Sequence, residues 1–371
     1  SLKLRASYGA VGNSAIDPYQ TIAGLSKYDY LFGEDAGNKF FAYRPSMIPN
    51  KDLGWEISRT ANFGVDFGLW NNRISGYIEG YITKTSDLLM ERTLPFFTGF
   101  SKVWQNIGKT ENKGIELNIQ ANTLKTKSFS WETTVTFARN WNKITELLGG
   151  GDIRNNSWFI GKPLQVHYNY EMIGVWQLGE EKEAQKYGAI PGDIKVKDQN
   201  NDGSIGELDK VILGQKDPKI IASLLNSFRF GAFDASINLN MNFGSLIHPN
   251  TYASLITRDG LRWMPSNFKY WTPDNPTNEY TRADKLSGYD PFAGTGGYMK
   301  GDYIKIQDIT LGYDFSKIMP KNWKILRARL YAQVRNLGYI YKACKNDVSP
   351  EAPDFDYNIP TTYTMGINID F

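Results

Sequence analysis

Apolar and polar side chains alternate along much of the chain. The pattern is clearest in residues 55–69, where most odd positions are apolar, among them Trp55, Phe63 and Phe67, and the even positions are polar or glycine. The same alternation recurs in residues 115–121, 129–141, 233–243 and 326–335. Because successive side chains of a β-strand point to opposite faces of a sheet, the pattern predicts strands with one apolar and one polar face.

One segment, residues 301–315, changes phase. Ile304 and Ile306 fall in one phase, and Ile309 falls in the other. One extra residue in a strand returns the following side chains to their original face. The sequence therefore predicts a β-bulge near Gln307–Asp308.

The predicted strands are long. Many run for 11 to 15 residues, whereas strands of soluble sheets average about 5–6 residues. A tilted strand needs about 9–11 residues to cross the apolar core of a bilayer. One face is apolar, with aromatic side chains towards the strand ends, and the other carries Asn, Thr, Glu, Arg and Gly. Together these features predict an all-β fold, a transmembrane antiparallel β-barrel with a lipid-facing side and a wet lumen.

We expect about twelve strands in this chain. They lie near residues 2–10, 55–69, 72–84, 109–122, 127–145, 152–160, 164–178, 219–230, 233–245, 301–315, 323–337 and 361–371. The segment 152–160 is included partly because an even count places every short turn on one rim of the barrel. The last strand alternates Tyr363, Met365, Ile367, Ile369 and Phe371. A final strand that closes on Phe is typical of bacterial outer-membrane barrels, although an edge strand could also end this way.

Short and long connections alternate between these strands. The short ones are residues 69–72, 122–128, 161–163, 229–233 and 316–322. The long ones are about 11–54, 93–108, 179–217, 246–300 and 339–359. Outer-membrane barrels have short periplasmic turns and longer extracellular loops, so we expect the long connections on the extracellular side.

The composition argues against several classes of function. The net charge of +3 is close to neutral for 371 residues, so nucleic acid is not expected as a partner. No apolar run is long enough for a transmembrane helix. Cys344 is the single cysteine, and the two histidines, His167 and His248, are too few and too scattered for a His-rich metal or catalytic site. The start is strand-like and lacks a signal-peptide pattern, so either the chain is cytoplasmic, or a leader and further sequence have been removed.

The stretch DQNNDGSIGELD, residues 198–209, has the ligand spacing of an EF-hand calcium loop. The first, third, fifth, seventh and twelfth positions are Asp198, Asn200, Asp202, Ser204 and Asp209. Gly203 occupies the sixth position, where the loop turns sharply. The flanking residues have no helical period, so this is not an EF-hand. We expect a structural calcium ion that braces a long loop, and the alternative is a solvated Asn-Asp-Gly turn.

The sequence resembles a known protein family. The matching stretches are LKLRASYGAVGN (2–13), NKDLGWEISRTANFGVDFGLWNNRISGYIEGYITKTSDLL (50–89), IGKTENKGIELNIQA (107–121), PGDIKVKDQNNDGSIGELDKVILGQKDPK (191–219), GDYIKIQDITLGYDFSK (301–317) and RLYAQVRNL (329–337). They are similar to the C-terminal part of SusC/RagA-type TonB-dependent transporters from the outer membrane of Bacteroidetes. The resemblance extends over nearly the whole chain, in the family's order.

The resemblance implies a barrel of about 22 strands, of which this chain holds roughly the second half. It also implies a plug domain and a TonB box, neither of which is recognisable in this sequence. The implied function is TonB-dependent active import of oligosaccharides or oligopeptides across the outer membrane of a Gram-negative bacterium. A SusD-like surface lipoprotein would act as a lid, and TonB would act on the plug.

Two groups of side chains are candidates for substrate contact. The long segment 246–300 is rich in aromatic residues, whose flat faces suit sugar rings or peptide side chains. We expect substrate contact from Tyr252, Trp263, Tyr270 and Trp271, with packing of the loop's own small core as the alternative. Arg327, Arg329 and Arg335 are expected to face the lumen, where they attract anionic groups or, as we favour, pair with plug carboxylates.

No catalytic constellation is present. The sequence has no Ser/His/Asp set, no Cys/His pair and no phosphate-binding loop, so we do not expect an enzyme. Two alternatives to active import remain. One is a passive porin or structural outer-membrane barrel, and the other is a soluble calcium-binding β-sandwich adhesin.

Overall fold

The structure is a computed structural model that describes residues 1–14, 21–22, 24–31, 39–256, 269–282, 292, 294–320, 325–345, 348–353 and 359–370. Strands account for most of the described residues, as the alternation predicts. The helices are short, namely α1 (Glu181–Lys186) and α2 (Asn250–Ile256). Single 3₁₀ turns lie at Phe96–Thr98, Arg154–Asn156, Glu207–Asp209, Thr295–Gly297 and Ser316–Ile318. No helix in these described ranges is both long and apolar enough to span a bilayer.

The strands differ greatly in length. In chain order they are β1 (Leu2–Asn13), β2 (Leu25–Leu31), β3 (Lys39–Pro45), β4 (Glu56–Leu69), β5 (Ile74–Ser86), β6 (Leu89–Thr93), β7 (Lys102–Asn106), β8 (Lys109–Lys125), β9 (Phe129–Glu146), β10 (Val166–Tyr170), β11 (Met172–Val175), β12 (Ile194–Val196), β13 (Lys210–Gln215), β14 (Ile220–Phe230), β15 (Phe233–Phe243), β16 (Leu246–Ile247), β17 (Met299–Lys300), β18 (Tyr303–Asp314), β19 (Arg327–Lys342) and β20 (Thr362–Asp370).

Ten long strands form a single antiparallel sheet, which we call the wall sheet. Its strand order is β1-β4-β5-β8-β9-β14-β15-β18-β19-β20. The remaining strands form five two-stranded sheets, β2-β3, β6-β7, β10-β13, β11-β12 and β16-β17, within the connections. The predicted all-β, antiparallel barrel wall is confirmed.

The expected count of about twelve wall strands is wrong by two in the described part of the chain. β9 pairs directly with β14, with Thr136 opposite Ser223, so no strand lies between them. Residues 152–160 contain a 3₁₀ turn, and residues 164–178 contain β10 and β11, which pair outside the wall sheet. Strands of four or five residues are too short to cross a bilayer, although they alternate like wall strands.

The connections still alternate, because removing two strands leaves the parity unchanged. The short turns are residues 70–73, 126–128, 231–232 and 315–326, and the long connections are residues 14–55, 87–108, 147–219, 244–302 and 343–361. The expected loop 179–217 is therefore part of a longer connection, residues 147–219. The expected short turn 161–163 lies inside that connection.

The register places like side chains in rows across the wall sheet. One row joins apolar residues on eight neighbouring strands: Leu4, Val65, Ile78, Leu117, Phe137, Ala222, Met241 and Ile304. A row on the opposite face joins Asp66, Tyr77, Asn118, Thr136, Ser223, Asn240 and Lys305. We call these the apolar face and the polar face.

The predicted bulge is confirmed. The register between β15 and β18 shifts between Asn238 and Leu239, whose partners are Asp308 and Ile306, so Gln307 is the extra residue. Ile306 and Ile309 then both belong to the apolar face. The bulge thus resolves the change of phase that the sequence shows.

The apolar face is less uniform than the alternation suggests. Arg59, Lys84, Lys113, Arg139 and Lys143 share it with the apolar residues of β4, β5, β8 and β9. All five belong to the ends of their strands that lead into long connections. Among the described residues, the middle of the face and its short-turn end have no such group of cations.

Most of the buried hydrophobic residues in the described ranges lie in the long connections, and only a few, such as Ile144, Tyr303 and Ala328, belong to wall strands. One cluster of buried side chains comprises Tyr252, Tyr280, Met299, Cys344 and Val348. These residues come from the connections 244–302 and 343–361. Burial there lets loop segments pack as a small folded layer at one end of the wall sheet.

Candidate functional site in the loops and on the polar face

Three long connections pack together at one end of the wall sheet. We call the described parts of residues 147–219, 244–302 and 343–361 the loop platform. Trp271 donates its Nε1–H to Gln177 Oε1 at 2.9 Å, and Arg282 Nε lies 2.7 Å from Asp193 Oδ1. The third connection joins through Lys345 and Glu279, whose charged atoms are 2.5 Å apart. Side chains thus tie the three connections to one another.

The two histidines meet in the loop platform, although they are 81 positions apart in sequence. Their ring centroids are 6.5 Å apart, and both rings pack against Tyr298. His167 Nε2 lies 2.9 Å from the Leu246 carbonyl oxygen, and His248 Nε2 lies 2.9 Å from that of Gly294. The expectation that the histidines are scattered therefore holds only along the sequence. Each ring bonds the main chain: His167 joins the connection 147–219 to 244–302, and His248 closes a contact within 244–302.

Burial lowers the pKa of His167 to about 4. Electrostatic interactions with Lys216 and His248 act in the same direction, whereas the bond to the Leu246 carbonyl opposes the shift. Removing an imidazolium from water costs more free energy than removing the neutral ring, so the neutral form is favoured. His167 is consequently neutral at physiological pH.

The aromatic residues expected to bind substrate lie mostly inside the loop platform. Tyr252 and Trp271 are buried, and Tyr270 packs, partly buried, against the cluster around Tyr252. Trp263 lies outside the described residues. In this arrangement these rings pack the loop's own core, which was the alternative interpretation. Their contact with substrate stays a prediction.

The Trp271 ring packs against Gly192, at a position where a larger residue would not fit. A Cβ on Gly192 would overlap the Trp271 ring and the Arg282 side chain. Gly192 also has a φ of 91°, which L side chains rarely adopt. The ring therefore packs directly on the main chain of the neighbouring connection. Arg282 also contacts Gly192, because the main-chain N–H of Arg282 donates to the Gly192 carbonyl at 2.7 Å.

The polar face is held by charge pairs between strands. On β1, Arg5 bonds two carboxylates, with Nε 2.9 Å from Asp66 Oδ1 and Nη2 3.1 Å from Glu79 Oε2. Asn62 bonds the same Glu79. Three neighbouring strands are therefore linked through one guanidinium. Hydroxyl pairs continue the pattern, as in the 2.9 Å contact between Thr60 and Thr83.

The three arginines expected in the lumen all belong to the polar face of β19, but they differ in their contacts. Arg329 forms a two-pronged pair with Asp234, with Nε–Oδ1 at 2.8 Å and Nη2–Oδ2 at 2.5 Å. Arg327 Nε lies 3.5 Å from Asp314 Oδ2, and Arg335 is exposed. Arg327 and Arg329 pair with carboxylates of the wall itself, which differs from the pairing with plug carboxylates that we favoured.

A polar cavity of about 530 Å³ opens beside these residues at the short-turn end. Its lining includes Glu132, Arg229, Asp234, Arg327 and Arg329. The charges come from β9, β14, β15 and β19, so the cavity is a recess in the wall with a mixed charge pattern. It suits hydrated polar solutes better than apolar ones.

The calcium-like loop lies in the loop platform between β12 and β13. Asp198 Oδ2 accepts a bond from the Gly203 N–H at 2.9 Å, and Asp202 Oδ1 accepts one from the Ser204 N–H at 2.8 Å. Asp209, 1% exposed, accepts from the N–H groups of Gln199 and Gly206 at 2.8 and 2.7 Å. The bonds from Ser204 lower the pKa of Asp202. The carboxylates therefore stabilise the turn themselves.

One oxygen in this loop has no bond. Asp198 Oδ1 is buried and lacks a hydrogen-bond partner. A buried carboxylate oxygen without a partner is costly, so it marks a place where a cation or a water fits. Among the described residues, no group of three His, Cys, Asp or Glu side chains is arranged to hold a metal ion. A calcium site here would depend on Asn200 and a main-chain carbonyl as well as on carboxylates.

Sequence reasoning missed the partners that make these sites. Asp234 is 95 residues from Arg329, and Gln177 is 94 residues from Trp271. No spacing rule connects such positions, because their proximity follows from strand order and from loop packing. Only the alternation around Asp234 and Arg329 indicated that both belong to the polar face.

Comparison with known proteins identifies the fold and the family. Residues 1–337 match the family described as TonB dependent receptor-like, beta-barrel. TonB-dependent receptor P26 of Formosa agariphila is 28% identical over 407 residues, covering 100% of this chain and 40% of that protein. TonB-dependent receptor SusC of Bacteroides thetaiotaomicron is 28% identical over 394 residues, covering 100% of this chain and 37% of that protein.

A solved structure shows the same fold. The chain superposes on the structure of the RagAB peptide transporter with a TM-score of 0.77 at 23% identity, covering 100% of this chain and 41% of that one. The chain thus spans about two fifths of the length of the relatives it matches. It belongs to the TonB-dependent receptor-like β-barrel family of the outer membrane and is of the SusC/RagA type.

Proposed function

We propose that this chain forms part of the wall and the extracellular loops of a TonB-dependent importer of oligosaccharides or oligopeptides. Membership of a transporter family along residues 1–337 is the observation that carries the proposal. A sheet with one apolar and one polar face supports it, because such a wall separates lipid from a hydrated passage. The chain offers no catalytic set, and we propose no enzymatic activity.

A SusD-like surface lipoprotein is the proposed partner at the long-connection end. The three connections of the loop platform are tied together by bonds such as Trp271–Gln177 and Arg282–Asp193. A firmly packed surface can bind a lid without the entropic cost of ordering flexible loops. TonB is the proposed source of energy, acting through a plug domain.

Uptake by cells tests the proposal. The full-length gene is placed in a host that lacks it, with or without the neighbouring lipoprotein gene, and fluorescent oligopeptide and oligosaccharide pools are supplied. We expect one pool to accumulate only when both TonB and this protein are present. Accumulation that persists after deletion of TonB would instead indicate a passive porin. Accumulation of neither pool would contradict import of these substrate classes.

We also propose that residues 198–209 bind one structural calcium ion. Two observations support this site, the spacing of oxygen-bearing residues and the partnerless buried oxygen of Asp198. Asp198, Asn200 and Asp202 would contribute side-chain oxygens, and Ser204 its carbonyl. Asp209 is shorter than the usual Glu at the twelfth position, so we expect weak binding, with a Kd of about 10⁻⁴–10⁻³ M.

Thermal unfolding of the full-length protein in detergent tests the calcium site. We expect millimolar calcium to raise the midpoint for loop-platform unfolding relative to a chelator, since a ligand that binds only the folded state stabilises it. Asp198→Asn should remove this difference. Glu207→Gln is the matched control, because Glu207 lies in the same loop, is 79% exposed and is not at a ligand position. Equal midpoints with calcium and with chelator for the unaltered protein would refute the site.

A further inference from the structure

A group of cations lies on the apolar face, where the alternation leads one to expect only apolar side chains. Arg59, Lys84, Lys113, Arg139 and Lys143 come from four adjacent strands, β4, β5, β8 and β9. All five side chains are exposed. We call them the basic rim, because each belongs to the end of its strand that leads into a long connection.

The register brings these residues next to one another. Arg59 is paired with Lys84, Lys84 with Glu111, and Glu111 with Lys143 in a single row across the sheet. In the next row towards the short turns, Lys113 is paired with Trp141. In the row after that, Arg139 is paired with Ile115. Like charges placed directly opposite on neighbouring strands repel each other, as do Arg59 and Lys84. Their proximity therefore favours a bound anion between them.

The described part of the chain supplies little neutralising charge to this patch. Glu111 is the single carboxylate of this row, and its Oε1 lies 3.1 Å from Lys113 Nζ and 3.3 Å from Lys143 Nζ. One carboxylate among five cations leaves a net charge of +4 on the patch. The separate pair of Lys109 and Glu146, 2.7 Å apart, is neutral and adds nothing to this balance.

Aromatic residues flank the basic rim on the same face. The Arg139 guanidinium lies 4.6 Å from the centroid of the Trp141 ring, and Trp55 and Tyr8 are exposed nearby. Exposed apolar residues share these rows, with Ile82 beside Lys113 and with Phe63 and Ile115 in the row of Arg139. The next row is wholly apolar and contains Val65, Ile78, Leu117 and Phe137. Aromatic belts mark the level of lipid headgroups, and lysine and arginine extend their charged ends to that level. The cations therefore lie on the long-connection side of the wholly apolar row, and their long side chains can extend towards the headgroups.

We propose that the basic rim binds the phosphate groups of anionic lipids in the leaflet on the long-connection side. The geometry points to a lipid because the cations share a continuous surface with the apolar residues, so one molecule can place its phosphate on the rim and its chains on the face below. Clusters of lysine and arginine beside a membrane-embedded surface recognise anionic headgroups in this way. The binding does not depend on import, and holds for a passive barrel equally.

Native mass spectrometry of the full-length protein in nonionic detergent tests the proposal. The probes are dioleoyl phosphatidic acid, whose headgroup is a phosphate monoester, dioleoyl phosphatidylcholine, which has no net charge, and inorganic phosphate. We expect retention of phosphatidic acid in preference to phosphatidylcholine, falling as salt is raised. Inorganic phosphate at equal concentration should not compete. Competition by inorganic phosphate, or equal retention of both lipids, would overturn the proposal.

Two variants with opposite expected effects keep the test independent of folding. Replacing Arg59, Lys84, Lys113 and Arg139 together by Gln should weaken retention of phosphatidic acid by roughly 600-fold at low salt, since each cation near an anionic surface contributes roughly a fivefold change. Glu111→Gln removes the only opposing carboxylate and should strengthen retention. A misfolded variant cannot produce a gain, so unchanged retention by Glu111→Gln would count against the rim.

The matched control replaces four exposed lysines of the connections by Gln. These are Lys51, Lys182, Lys186 and Lys300. The control changes the net charge by the same amount as the quadruple rim variant but leaves the apolar face intact. We expect it to retain phosphatidic acid like the unaltered protein. An equal loss in both quadruple variants would show that total charge, and not the rim, determines binding.

Discussion

Single residues on the polar face stabilise the wall by pairing with residues far away in sequence. Arg329 and Asp234 are 17% and 24% exposed in their side chains, so water screens this pair only in part. The two-pronged geometry adds direction to the attraction, because the planar guanidinium matches the two carboxylate oxygens. The pair fixes β19 relative to β15 across β18.

Breaking this pair should destabilise the barrel. We expect Arg329→Gln to lower the free energy of unfolding by about 2–3 kcal/mol, since Asp234 then stays partly buried without its partner. Urea titration of the full-length protein in detergent, followed by tryptophan fluorescence, measures the change. Arg335→Gln is the control, because Arg335 is exposed on the same strand and should alter stability by less than about 0.5 kcal/mol. Equal effects of both substitutions would show that the pair contributes nothing specific.

His167 should make the loop platform sensitive to acid. Its pKa is lowered from 6.5 to about 4, so the unfolded chain binds a proton more readily than the folded one between those values. The contribution of neutral His167 to stability is therefore complete above about pH 6.5 and is lost as the pH falls towards 4.

Amide hydrogen exchange in the connections 147–219 and 244–302 measures this effect. We expect protection to fall between pH 7 and pH 5, after correction for the intrinsic exchange rate. In His167→Gln the fall should be smaller, since glutamine does not titrate and can still bond the Leu246 carbonyl. An identical pH dependence in both proteins would assign the acid sensitivity to other groups.

At the scale of elements, the loop platform depends on close contacts between connections. Gly192→Ala places a methyl group against Trp271 and Arg282, and also strains a backbone with φ of 91°. We expect the segments around α1 and around Trp271 to separate, with much faster cleavage by trypsin. Limited proteolysis of the full-length protein measures the rate.

Gly188→Ala separates the two causes. Gly188 has a φ of 69°, and a Cβ there would meet no atom within 4 Å. This variant therefore has comparable backbone strain without the clash. We expect it to remain close to the unaltered protein in its rate of cleavage. If both variants are cleaved equally fast, strain and not packing on Trp271 is responsible.

Some of these elements could be predicted from the sequence, and others could not. Alternation in β4, β8 and β15 predicted both strands and their faces, because a wall strand has one lipid-facing side along its whole length. The bulge at Gln307 followed from the same rule. Residues 164–178 alternate too, but their short strands β10 and β11 pair with loop strands, and alternation alone does not reveal the partner. For the calcium-like loop, the spacing of possible ligands could be predicted from the sequence. The hydrogen bonds of its carboxylates within the loop could not, because they depend on how the turn folds.

At the scale of the whole molecule, the ten-stranded order makes β9 and β14 neighbours and residues 147–219 a single connection. Cysteines placed at Thr136 and Ser223 test this order, since these residues face each other in the register. We expect a disulfide to form on mild oxidation of the full-length protein, detected as a shift in gel mobility. The native Cys344 is buried and should not compete.

Cysteines at Thr136 and Asn240 provide the control. Asn240 lies opposite Ser223 on the far side of β14, so it is two strands from Thr136. Neighbouring strands are about 4.8 Å apart, and two strand spacings exceed the reach of a disulfide. Crosslinking of this pair, but not of the first, would mean that the strand order differs from the one described.

The bonds of the two histidines to carbonyl oxygens bear on how these loops can vary in sequence. His167 and His248 bind the main chain at Leu246 and Gly294, and every amino acid supplies a carbonyl oxygen at those positions. Mutations at the accepting positions therefore leave the anchoring bonds available. The side chains of the loops can therefore diverge at these positions while the contacts that hold the loops together persist.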